Sequence, residues 1–370
     1  MLLPSVKSLS KISEKAFLAL IRAGIGHPMG ELPESIDWER MVTLAEEHGL
    51  SAVLCDAIDR LVREDALSGG RAISKQQMYD GLGAALSYEQ RYEAYQEAIG
   101  ALAGYYAVHY IKMMVIKGYA LSLDWPVPAH RPCGDIDIWL FGQYREADAL
   151  LSREMKIAVD NSHHHHTVFS WHGFSVENHY DIVNVHAHRS SAEMEKIFKE
   201  LAQDDSCSVD VCGSTVYLPS ANFHALFLMK HAISHFASTR LNLRQVLDWA
   251  FFVEKHTGEI DWPWLLGMLD RFHMTDFFNC LCRICVEDLG FEASIFHSGS
   301  VDPSLKNRVL NDILCPEFQG KEPRGLVRRV WFKYRRWRAN SWKHRLCYKE
   351  GLFSSFFVSV WAHILKPSSI

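Results

Sequence analysis

Arg131-Pro132-Cys133-Gly134-Asp135-Ile136-Asp137-Ile138-Trp139-Leu140 is the stretch that decides the architecture of this chain. From Asp135 onward Ile136, Ile138 and Leu140 alternate with Asp135, Asp137 and Trp139, and a period of two is the signature of a strand. Successive side chains of a strand point to opposite faces, so Asp135 and Asp137 share one face while Ile136 and Ile138 point into a core. Neighbouring carboxylates repel, and withdrawing them from water is costly without a partner. A divalent cation is the natural partner, and Mg²⁺ prefers carboxylates together with substrate phosphates and water.

A solvated edge strand would show the same alternation, so the surroundings matter. Gly134 precedes the pair and permits close backbone approach. A third acid stands in Ser175-Val176-Glu177-Asn178-His179, where Glu177 again alternates and shares its face with Ser175 and His179. Three acids on neighbouring strands suit two metal ions about 3.5–4 Å apart, as in-line phosphoryl or nucleotidyl transfer requires.

Outward from this stretch, short apolar runs continue. Met113–Ile116 ends at Lys117-Gly118, a helix is expected over Gln143–Arg153, and strands over Thr167–Ser170 and Phe174–His188 flank a Trp171-His172-Gly173 turn. Period two returns at Cys212–Leu218. Strands interleaved with a helix predict a compact unit over 111–218. Helical spacing dominates on both sides: Ile12 to Ile21, Trp38 to Leu50, Val53 to Leu61 and Ala85 to Tyr106 before it, and Ser220 to Leu289 after it, with Asn222 as a candidate cap. The expected fold is α+β: a helical N-terminal region (1–110), a small mixed-sheet core (111–218), a helical C-terminal region (219–320) and a basic aromatic tail with an apolar helix (321–370).

The 370 residues are 48% hydrophobic and 22% charged, with net charge −5, enough apolar material for a substantial core and no overall basic character to attract nucleic acid. The N-terminus offers no apolar run of signal-peptide type, and no stretch reaches the roughly 20 apolar residues of a membrane span. Nine cysteines then read as reduced thiols in a cytoplasm. Cys280, Cys282 and Cys285 lie in an apolar helical run without zinc spacing and read as core thiols.

The ordered set Val115-Ile116-Lys117-Gly118, Pro126, Pro128 and Arg131 to Asp137 resembles the uncharacterised nucleotidyltransferase family of the polymerase-β-like superfamily. Glu177 and His179 match its Glu-x-His. His231 matches its helical histidine, and Leu243-Arg244-Gln245-Val246-Leu247-Asp248 its Leu-Arg-x-x-x-Asp element; the likeness spans roughly residues 12–290. The resemblance implies that Asp135, Asp137 and Glu177 hold Mg²⁺ (or Mn²⁺) and that Glu177 serves as base. Lys117 and Arg131 would offset phosphate charge, and Gly118 and Gly134 would admit the backbone. His179 and Arg244 would complete the nucleotide cleft. The implied reaction moves a nucleoside monophosphate from an NTP such as ATP to a hydroxyl on a small molecule, sugar, peptide or protein, releasing pyrophosphate. Gly118-Tyr119 stands where the superfamily has glycine-serine, which leaves a degenerate, non-catalytic binding protein as the alternative.

Three further features carry expectations. His163–His166 is a run of four histidines read as a solvated loop or strand, the sharper options being that one member reaches the cleft or that the run binds adventitious Zn²⁺ or Ni²⁺. Arg244 and Asp248, one turn apart, are expected to pair, the alternative being that they form a polar wall of the nucleotide cleft facing the sheet unit. Residues 321–349 are basic with interleaved tryptophans and precede an apolar segment, Gly351–Leu365. Packing on the body, contact with an anionic inner-membrane surface through 321–365, and nucleic-acid binding are the alternatives, in that order.

Overall fold

The computed structural model describes residues 6–185, 189–238, 240–318 and 323–349. The fold is α+β, with helices on both sides of a six-stranded mixed sheet in chain sequence.

Helices α1 (Val6–Gly24), α2 (Trp38–His48) and α3 (Ser51–Arg63) precede the long α4 (Lys75–Val108). α4 begins earlier than its apolar stripe suggests, because Ser74 and Gln77 form a reciprocal capping box at its start. The core follows as β1 (Met114–Val115), α5 (Tyr119–Ser122), β2 (Ile136–Trp139), α6 (Tyr144–Leu150), β3 (His166–Trp171), β4 (Phe174–His179), α7 (Arg189–Leu201), β5 (Ser208–Val211) and β6 (Ser214–Tyr217). Then come α8 (Ala221–Ser238), α9 (Leu243–His256), α10 (Trp262–Arg271), α11 (Thr275–Glu287), α12 (Pro303–Leu314) and α13 (Leu326–Cys347).

The strand order is β3-β4-β2-β1-β6-β5. β2 runs parallel to β4 and antiparallel to β1. Two tight hairpins have the same local cause. His172-Gly173 joins β3 to β4 and Cys212-Gly213 joins β5 to β6, all four residues at positive φ, the geometry that matches the right-handed twist of paired strands.

The sequence reading needs correction at four places. The strand beginning at Phe174 stops at His179, since the chain bends away at Asp181 and Glu195 takes up the backbone N–H groups of Ile182 and Val183. The strand expected over Cys212–Leu218 is only the second arm of a hairpin whose first arm, β5, is largely exposed and lacks a clear apolar alternation. The helix expected over Gln143–Arg153 is α6 followed by a wide turn over Leu151–Met155. Asn222 lies inside α8 and accepts from Asp261 N–H at 2.8 Å, tying α8 to the start of α10 instead of capping α8.

Each face of the sheet has its own core. Ile136, Ile138, Val176 and Val115 pack with Tyr95, Ile99, Leu102 and Tyr106 of α4. Met114, Ile116 and Trp139, on the opposite face, join Phe223, Phe227, Val246 and Trp249 of the C-terminal helices and the residues of α1–α3. The polar residues of the Asp-Ile-Asp strand therefore face a space between the sheet and α8–α9. Cys280, Cys282 and Cys285 are fully buried in that second core, as expected for structural thiols. The C-terminal half of α13 packs on the body, where Lys343 meets Asp312 at 2.5 Å with both side chains buried and Cys347 is inaccessible. Its N-terminal half leaves Trp331 and Tyr334 exposed. The apolar segment Gly351–Leu365 lies outside the described residues. Among the described helices none is long and apolar enough to cross a membrane.

Candidate active site

The site begins with register. β2 and β4 run parallel with Asp137 opposite Glu177 and Trp139 opposite His179, while β3 places His166 opposite His179. One sheet face therefore carries Asp137, Glu177, His179 and His166 together, because side chains two residues apart share a face.

Asp137 is 2% exposed. Its Oδ1 lies 2.5 Å from Lys117 Nζ and accepts from His179 Nε2 at 3.0 Å. Glu177 Oε2 is 3.5 Å from the same histidine nitrogen. His179 Nδ1 faces the carbonyl oxygen of Asp181 at 3.2 Å. Both partners of this ring are acceptors, which favours the protonated ring, since only that form donates from both nitrogens. Burial opposes that charge, but the hydrogen bonds to Asp137 and Glu177 outweigh it and raise the His179 pKa above 6.5. Asp137 is likewise opposed by burial, yet Lys117 and His179 hold its carboxyl far below the usual range. Asp135 differs: burial and the neighbouring Asp137 raise its pKa.

Lys117 and His179 thus gather on one carboxylate face, and a divalent ion fits such a face. Ligand atoms of Asp137, Glu177 and His179 all lie within 4.8 Å of one another. Asp135 stands outside that tight set but lines the same cleft, a cavity of about 320 Å³ that also takes in Gly118, Gly134, His231 and Arg244.

The loop before β2 is held from below by α4. Arg91 Nε donates to Cys133 O at 2.9 Å and Tyr95 Oη to Asp135 O at 2.7 Å. Gly118, at φ +54°, sits where a Cβ would come within 2.4 Å of Tyr95 Oη, so a close approach and a left-handed backbone both require glycine.

The two arginines are placed differently. Arg131 is 5% exposed and grips Asp248 with two nitrogens at 2.7 and 3.1 Å, with Trp125 Nε1 donating to the same carboxylate at 2.9 Å. The expected Arg244–Asp248 pair therefore does not form, because Arg131 and Trp125 take up the Asp248 carboxylate. Arg244 instead donates to Pro132 O at 3.3 Å and, among the described residues, ion-pairs with no carboxylate. Burial and the nearby Arg131 lower its pKa, against the opposing pull of Asp248 and Asp135. His231 and His235 stand edge to face on α8, centroids 4.5 Å apart, and line the same cleft. Burial pushes His231 well below 6.5, and Lys117 and His235 push it further the same way.

The histidine run does not end in solvent. His166 is 6% exposed and its Nδ1 is 3.7 Å from Glu177 Oε2. Burial lowers His165 to about 3 and His166 to about 4. Four identical residues in a row carry no periodicity, so the sequence alone had no means of choosing which would turn inward.

Comparison with known proteins now has a geometry to attach to. The family model described as "Uncharacterised nucleotidyltransferase" matches residues 34–290. The chain belongs to that family. A solved structure described as an antigenic nucleotidyltransferase-like protein from Paracoccidioides brasiliensis is 11% identical, with a TM-score of 0.34 over 55% of this chain and 96% of that one. No curated protein matches. The family match takes in the whole carboxylate cleft, from Lys117 to Asp248.

Proposed function

We propose that this family member transfers a nucleoside monophosphate from an NTP to a hydroxyl group of an acceptor, with loss of pyrophosphate. The observation that carries the reading is the register pairing of Asp137 with Glu177 in a cleft whose opposite wall holds Arg244 without an ion-paired carboxylate among the described residues. Acid on one side and unbalanced base on the other suit a metal-bound polyphosphate. Asp135, Asp137 and Glu177 would hold Mg²⁺ (or Mn²⁺), which when bound neutralises phosphate charge and polarises the phosphorus under attack. Lys117 would turn from Asp137 toward a phosphate, and Arg244 would fork onto another. Glu177, the more exposed of the paired acids, would accept the acceptor proton. Gly134, where a Cβ would meet nothing, would leave room for the triphosphate, and Gly118 lines the same cleft. Positioning and charge neutralisation supply most of the rate in such a site.

A second reading, a binding protein with the same fold but no catalysis, is favoured by two observations. Lys117 already neutralises Asp137, and the Arg131 fork is already closed on Asp248. We further place the protein in a reducing compartment, in keeping with nine free cysteines, and assign the exposed basic face of α13, with Arg328, Trp331, Tyr334 and Arg335, to an anionic inner-membrane surface. A nucleic-acid partner is not part of this reading.

Thermal stability measured with each NTP, with and without Mg²⁺, tests the donor. Stabilisation that needs both metal and nucleotide and disappears in Asp135→Asn/Asp137→Asn supports transfer chemistry at the carboxylates. No metal-dependent response to any NTP at millimolar concentration would favour the binding-protein reading.

A further inference from the structure

Beside the carboxylate cleft three imidazoles converge from two strands. His166 opens β3 with His165 just before it, and His179 closes β4 directly opposite His166. Ring centroids are 4.3 Å apart for His165 and His166, 5.2 Å for His166 and His179, and 5.6 Å for His165 and His179. One ring nitrogen of each lies within 4.8 Å of the other two. Nδ1 of His165 and Nδ1 of His166 are buried and meet no hydrogen-bond partner. Buried polar atoms are nearly always satisfied, so two orphaned nitrogens on touching rings mark a missing partner. The third ring, His179, has its Nδ1 against the Asp181 carbonyl, the kind of outer contact that orients ligating histidines, and an ion would take the place of the proton that its Nε2 now shares with Asp137.

We propose that His165, His166 and His179 form a binding site for a first-row transition-metal ion of the Zn²⁺ class. His165 and His166 are neutral imidazoles, and His179 becomes one when the ion displaces the proton its Nε2 shares with Asp137; three such borderline-soft nitrogen ligands suit Zn²⁺ and leave a further coordination position open. The hard carboxylates of Asp135, Asp137 and Glu177 suit Mg²⁺ instead. His165 and His179 also line a second cavity of about 420 Å³, shared with Lys117 and Ser191, so the open position has room for water or a donor atom of a small molecule. His179 belongs to both ligand sets, which ties occupancy of one to the protonation and geometry of the other.

The test uses the full chain, stripped with chelator and titrated with Co²⁺ alone and then Zn²⁺ alone, without nucleotide. The expected results are one tightly bound ion per chain and the intense visible bands of a four- or five-coordinate Co²⁺ nitrogen site. Loss of an outer-shell contact costs metal sites about 10–100-fold, so loss of a ligand in His165→Ala or His166→Gln is expected to weaken Zn²⁺ at least about 100-fold. His163→Ala/His164→Ala and Glu177→Gln are expected to retain it. Three outcomes overturn the proposal. Binding unchanged in His165→Ala and His166→Gln removes the site. Binding lost with His163→Ala/His164→Ala assigns the ion to the outer histidines as an adventitious ion only. Binding lost with Glu177→Gln but kept in His165→Ala assigns it to the carboxylates. The wild-type cobalt spectrum does not depend on any variant folding, and a weak octahedral spectrum also overturns the proposal. No nucleotide is present, so failure here leaves the transferase reading standing, and failure of that reading leaves this one standing.

Discussion

Arg131 and Asp248, 117 positions apart in the chain, meet in a two-pronged ion pair between the loop before β2 and α9. This contact closes the wall between the sheet and the C-terminal helices. Removing one member of a buried pair strands the other charge, which costs about 3–5 kcal/mol. Asp248→Asn is therefore expected to lower unfolding free energy by that amount in urea titration. A loss under about 1 kcal/mol would mean that Arg131 finds water or another acceptor on relaxation.

Arg244 is expected to behave in the opposite way. It holds only a carbonyl, so Arg244→Gln should leave stability within about 0.5–1 kcal/mol of wild type. The same change should weaken the Mg²⁺-NTP thermal shift, because the cleft loses a guanidinium that is not committed to Asp248. An unchanged shift with reduced stability would make Arg244 a packing residue.

Gly118 and Tyr95 give a paired prediction. Gly118→Ala adds a Cβ at positive φ against Tyr95 Oη, and strain of this type costs about 1–3 kcal/mol. Tyr95→Phe removes the hydroxyl that the new Cβ would meet, along with its bond to Asp135 O. In a double-mutant cycle measured by chemical denaturation, the two losses should sum to more than the loss in the double variant. Strict additivity would show that backbone strain at Gly118, without the clash, sets the cost.

The pH dependence follows from His224, which is 6% exposed, has Nε2 3.2 Å from Ile116 O, and is lowered by burial to about 4. A histidine with a depressed folded pKa refuses protons that the unfolded chain accepts. Its contribution to stability is thus present above 6.5 and is lost as pH falls from 6.5 toward 4. Acidification from pH 7 to pH 5 should cost wild type more than His224→Gln, by on the order of 1.4 kcal/mol per pH unit below 6.5. His48, lowered by burial and by Arg240 to about 3, acts in the same direction. His179, raised above 6.5, acts oppositely: its contribution is present below 6.5 and is lost as pH rises through its folded pKa. Parallel urea midpoints for wild type and His224→Gln between pH 7 and 5 would count against this account.

The part of this architecture that could be read from the chain is the part encoded locally. Asp135-Ile136-Asp137 and Glu177-Asn178-His179 alternate, and alternation survives folding because strand geometry enforces it. β5 was missed because Ser208–Val211 is short and mostly exposed, so no apolar rhythm marks it. The partner of Asp248 was misassigned for a different reason. Helical spacing offers Arg244 one turn away, whereas Arg131 arrives only through tertiary packing that no spacing rule contains. The inward turn of His166 depends on its register with His179, a property of two strands jointly.

Lys117 lines both cavities, together with Phe227 and His231. A single ammonium on a shared partition cannot fully compensate an anion on each side. Two negatively charged guests would divide its attraction, and each would hold less firmly once the other had entered. Further positive charge stands at either side, Arg244 in the first cavity and Lys230 in the second, so each guest would keep a cation of its own and Lys117 is the one that they contest.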